Sequence, residues 1–199
     1  MISHAEASIY FDALLSKTQE FIRNEGLVYP VMILLKKGEP FENVVYEHPT
    51  ITHIEAGDTD LKFKEDIYRL TVGIRMESAD DDKALPKIAK DLVKLTNAEA
   101  VGLIMGCVYR EIPVGTNPEE GDIYRDPESI RIINHCYYLK DDKHCYMRMI
   151  PYVNRGPVVS AGGVGEIGGT GPYEVLFINF PWIPPTRYNK AKLPDPFER

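Results

Sequence analysis

His135-Cys136 and His144-Cys145 repeat on either side of a short polar turn, and two imidazoles with two thiols make a full donor set for tetrahedral zinc. Strand geometry opposes that use. Consecutive side chains of a strand point to opposite faces, so each His-Cys pair splits. With an even-numbered turn both cysteines share one face of the hairpin and both histidines the other, and cross-strand packing is the expected role. Cys107, the third cysteine, sits in an apolar run and is the one candidate nucleophile, with His135 as a candidate base. A reactive thiol needs an electropositive, accessible setting, whereas apolar neighbours keep it protonated and inert. Glu47, His48, His53 and Glu55 offer acid–base groups, but they lie beside turn residues and lack any catalytic spacing.

Gly163, Gly165 and Gly168 satisfy the G-x-G-x-x-G pattern of dinucleotide sites. That chemistry needs a helix directly after the glycines, with its amino end on the pyrophosphate, and the continuation Gly169-Thr170-Gly171-Pro172 resists a helix. Asp80, Asp81 and Asp82 suit the positive end of a following helix better than a calcium loop, whose alternating pattern they lack. Neither a cofactor nor a metal site is expected.

The strongest signal is architectural. Residues 181–199 form a proline-broken arm carrying the only tryptophan, and Trp182, Ile183, Tyr188, Leu193 and Phe197 are its candidate interaction residues. Proline restricts the unfolded backbone, so ordering such an arm costs less entropy than ordering a glycine-rich tail. Its apolar groups must lie on the body or on a neighbouring subunit. Arg187, Lys190, Lys192 and Arg199 against Asp195 and Glu198 give the arm +2, leaving −9 on the rest of a chain whose formal charge is −7. Opposite signs favour contact, although screened surface pairs contribute only about 0–1 kcal/mol each. The overall negative charge disfavours sequence-independent binding to nucleic-acid phosphates.

Elements that would position these groups follow from periodicity. Ser3 and Glu6 have capping-box spacing, Tyr10, Leu14, Phe21 and Ile22 form an apolar stripe, and Gly26 supplies a helix stop. Residues 28–35 read as a strand starting near an edge at Pro30, with 41–46 returning as its hairpin partner and 51–54 as a short third strand. A helix is expected over 61–71 from Phe63, Ile67 and Leu70, although Leu70, Val72, Ile74 and Met76 alternate as a strand would. Leu85, Ile88, Ala89, Leu92, Val93 and Leu95 place a helix over 83–96, ahead of a strand at 100–109. Residues 111–128 form a long loop, a candidate lid or interface. Residues 129–139 and 144–153 form the best hairpin, 158–159 a short extension, and 173–180 the last strand.

The expected fold is α+β: a mixed or mainly antiparallel sheet packed by two or three helices, with a single domain over 1–180 and an extended arm over 181–199. No run reaches the roughly 18 apolar residues of a membrane span, and the first residues lack signal-peptide character. The odd cysteine count points to reduced thiols. These features suggest a cytoplasmic protein, or a virion component if the chain is viral. The leading expectation is a non-catalytic interaction or assembly subunit, self-associating or bound to another protein through the arm and the glycine-rich loop. The alternatives are a small hydrolase or transferase using Cys107 or a histidine such as His135 near the 111–128 loop, and a small-ligand sensor built on the tyrosine-rich hairpin.

Overall fold

The computed structural model describes residues 1–26, 28–58, 66–75, 83–110, 129–157, 173–177 and 193–198. The glycine pattern at 163–168, the aspartates at 80–82, the 111–128 loop, the 158–159 extension, and Trp182, Ile183 and Tyr188 lie outside that set.

Helix α1 spans His4–Glu25. The Ser3 hydroxyl accepts from the Glu6 N–H while the Glu6 carboxylate accepts from the Ser3 N–H at 2.8 Å, closing the capping box. Gly26 ends the helix at φ 77°, a left-handed conformation that disfavours a side chain, and its N–H donates to Ile22 O at 2.7 Å. Strands follow as β1 (Val31–Lys37), β2 (Ile51–Asp58) and β3 (Ile67–Ile74), then helix α2 (Leu85–Thr96). The chain continues with β4 (Ala100–Tyr109), β5 (Ile130–Leu139), β6 (Asp142–Pro157) and β7 (Tyr173–Phe177). They form one seven-stranded sheet in the order β2-β3-β1-β4-β5-β6-β7, with every neighbouring pair antiparallel.

Three expectations change. Residues 67–74 form a strand, not a helix end: β3 pairs with both β2 and β1, and that pairing rewards the β-branched alternation over the helical stripe. Residues 41–46 form no strand, and β1 takes β3 and β4 as neighbours instead. Pro30 therefore precedes a central strand rather than an edge one, and its carbonyl accepts from Ile74 N–H at 3.1 Å.

Because β3 and β4 both oppose β1, they run parallel to each other, and such strands cannot be joined by a tight hairpin. Helix α2 makes the crossover and covers one face. Its Leu85, Ile88, Ala89 and Leu92 pack with Met32 and Leu34 of β1, Val72 of β3, and Val101 and Leu103 of β4. Leu95, assigned to the buried stripe from its spacing, is instead 55% exposed. On the opposite face, the first half of α1 packs Ala7, Tyr10 and Phe11 on Ile33, Leu35 and Tyr137, and its second half sets Leu15 and Ile22 on Ile104, Ile133 and Tyr152. Gly102 permits the close approach: a Cβ there would lie 2.3 Å from a Phe11 ring carbon. Among the described residues the fold is thus α+β, with two helices and one antiparallel sheet.

Helix α1 runs diagonally. Its first half lies near β1 and β5, and its end is pinned over β6 and β7, where Asn154 Nδ2 donates to Gly26 O at 2.8 Å and the Arg23 guanidinium lies 4.9 Å from the Phe177 ring centre. No described helix is long and apolar enough to cross a membrane.

Candidate functional site

The register separates the two candidate catalytic groups. His135 stands opposite Ile104, whose side chain joins the α1-side core, whereas Cys107 is opposite Ile132 and three residues along β4 from Ile104. An odd step reverses the face, so thiol and imidazole lie on opposite sides of the sheet and cannot share a proton. Burial pushes the Cys107 thiol up to about 12, away from the thiolate. His135 is 2% exposed, and burial, followed by the nearby Arg148 charge, lowers its pKa to about 3. Its ring lies 4.9 Å from Phe11, and among the described residues Nε2 has no hydrogen-bond partner. A neutral imidazole in an aromatic core is a packing group.

The hairpin tyrosines are occupied in the same way. Tyr137 stacks on Phe11 at 4.5 Å and on Tyr146 at 5.0 Å, while His4 stacks on Tyr146 at 4.1 Å. Tyr138 faces the α2 side, and its hydroxyl donates to Leu193 O at 2.7 Å. Helix α1 and the 193–198 segment hold the surfaces that a hairpin-bound ligand would need.

Two arm residues fall within the described set. Leu193 is 3% exposed in the α2-side core, and Phe197 packs against the same cluster. Both rest on their own chain.

A concavity lies elsewhere. Beside α1, where the helix veers towards β7, one row of the sheet runs from Ile104 on β4 through Val31 on β1 and Gly73 on β3 to the exposed His53 on β2. That row lines a cleft of about 530 Å³. Leu14, Thr18 and Phe21, spaced along one side of α1, form one wall, and residues 28–30 form another. Phe21 and Tyr29 meet edge to face at 6.2 Å and are 42% and 59% exposed. Gly73 has a specific part here: a Cβ on it would lie 2.1 Å from His53 Cε1, so the missing side chain lets the imidazole lie across the strand. The Thr52 hydroxyl and His53 Nδ1 share a hydrogen bond of 3.1 Å.

Comparison with known protein families, curated proteins and solved structures finds no match.

The chemistry of the cleft therefore rests on its lining. Most of it is aliphatic or aromatic, and Thr18 directs its hydroxyl back to Leu14 O at 2.9 Å. Arg75 is the one formally charged residue among the described lining, joined by the titratable His53; no carboxylate or thiol belongs to that set. The lining thus has no nucleophile paired with a base. It has an apolar bed with cationic and imidazole groups at one end. Sequence reading placed Leu14 and Phe21 in the packed helix stripe and treated His53 as a turn-side acid–base candidate. The strand expected over 28–35 begins only at Val31, which leaves 28–30 as a wall of the cleft.

Proposed function

We propose that the chain is a non-catalytic binding protein whose α1 cleft takes a small apolar molecule. The cleft itself carries this reading: about 530 Å³ falls within the roughly 300–1,000 Å³ typical of small-molecule sites, which are mostly apolar with a few placed polar groups. A ligand that binds the native state raises apparent stability. Decanoate should therefore raise the melting temperature of the full chain, and no shift would remove the reading.

A second reading, self-association as an assembly subunit, is favoured by one observation. Val153 and Leu176 face each other across β6 and β7 and are 42% and 52% exposed, an apolar pair at the end of the sheet. Under this reading the arm residues Trp182, Ile183 and Tyr188 extend the contact. Light scattering should then give a multiple of the chain mass that falls to the monomer in a Val153→Lys, Leu176→Lys variant. A monomeric parent chain would exclude it. The hydrolase or transferase alternative gains nothing from Cys107 and His135, which the sheet separates.

A further inference from the structure

The alternation that splits each His-Cys pair also gathers sulfur on the other face. Cys136 of β5 stands directly opposite Met147 of β6, and Cys145 lies two residues before Met147 on the same strand. Directly opposed side chains have Cβ atoms about 4.5–5.5 Å apart, and residues two apart along a strand share a face. Cys136 and Met147 belong to the α2-side core, with Cys145 packed against it. The neighbouring Cys145 thiol, followed by burial, raises the Cys136 thiol well above its ordinary value, so its proton leaves in exchange for a bound ion. Among the described residues no three His, Cys, Asp or Glu side chains converge as a metal site, and Met147, opposite Cys136, offers a thioether as third donor. Two thiolates and a thioether are soft ligands, the set that selects Cu(I) over harder ions.

We propose that Cys136, Cys145 and Met147 form a three-sulfur binding site for Cu(I). Each coordinating thiol releases its proton to solvent as its sulfur bonds the ion, and no electron is transferred. Half-buried Cys145 makes the first contact, and fully buried Cys136 completes the set beneath Leu193. The site faces away from the α1 cleft and is independent of ligand binding there.

The test uses the full-length, reduced Cys107→Ser chain, titrated anaerobically with Cu(I) against bicinchoninate. One equivalent should be retained, with near-ultraviolet thiolate-to-copper absorption and an affinity that rises with pH. Met147→Leu, which conserves volume, should weaken binding on the order of tenfold or more, the scale on which even supporting groups act. Cys145→Ser should abolish retention. If Cys136→Ser fails to fold, these two variants still decide. Failure to compete with the chelator, retention unchanged in both variants, or tighter retention of Zn(II) than of Cu(I) would each overturn the site.

Discussion

At His135 a polar ring occupies a place built for an apolar one. Its folded-state pKa of about 3 lies below the ordinary 6.5, so between those values the unfolded chain holds the proton more readily than the folded chain. The contribution is intact above about pH 6.5 and is lost as pH falls towards 3, at no more than about 1.4 kcal/mol per pH unit. His135→Phe removes that titration and Nε2 together. Phe is the larger ring, so stability at pH 7 should fall by about 1–3 kcal/mol, the range for overpacking a filled core. Urea unfolding at several pH values should show a shallower acid loss between pH 6 and 4; parallel curves for the two proteins would refute the assignment. Some single residues were readable in advance. Ser3, Glu6 and Gly26 make their cap contacts within a few residues of themselves, whereas the added pairings of Glu6 with Lys37 and of Gly26 O with Asn154 depend on the fold. Gly73 and His53 were not, because their meaning depends on which strands become neighbours.

At the scale of elements, local pattern succeeded where tertiary pairing agreed with it. The β5–β6 hairpin has a polar turn between two strongly apolar runs, and α2 has an apolar face that nothing else in its window contests. Residues 67–74 carried two periods at once, and only the pairing of β3 with β1 and β2 chose between them. The same holds for 41–46, whose apolar Phe41, Val44 and Tyr46 pack on the α2-side core without joining the sheet. The 193–198 segment is the element whose contribution is easiest to measure. Leu193 is nearly buried, its carbonyl accepts from Tyr138, and Phe197 packs beside it. Leu193→Ala should cost about 2–5 kcal/mol by urea unfolding, as truncation of a buried leucine does. A loss within about 0.5 kcal/mol, the scale of surface substitutions, would show that the segment rests loosely on the body.

At the scale of the molecule, the α+β class was legible from the order of apolar runs, and the candidate cleft was not. A diagonal helix about 33 Å long, at 1.5 Å per residue, crosses the sheet and leaves a wedge uncovered beside it. Nothing in the periodicity of α1 separates Leu14 and Phe21, which border the wedge, from Leu15 and Ile22, which fill the core. Their difference arises from the crossing angle, a property of two packed layers and not of one segment. The exposed Phe21 and Tyr29 follow from that geometry, and binding in the wedge is the claim on which the functional account stands. Titration calorimetry of decanoate into the full-length chain and into a Thr18→Trp variant tests it most directly, because Thr18 stands on the α1 wall of the wedge and the indole enlarges that wall. The account predicts one decanoate per parent chain and no measurable binding to the variant when it retains the parent's circular dichroism. Binding that persists unchanged in the folded variant would contradict it.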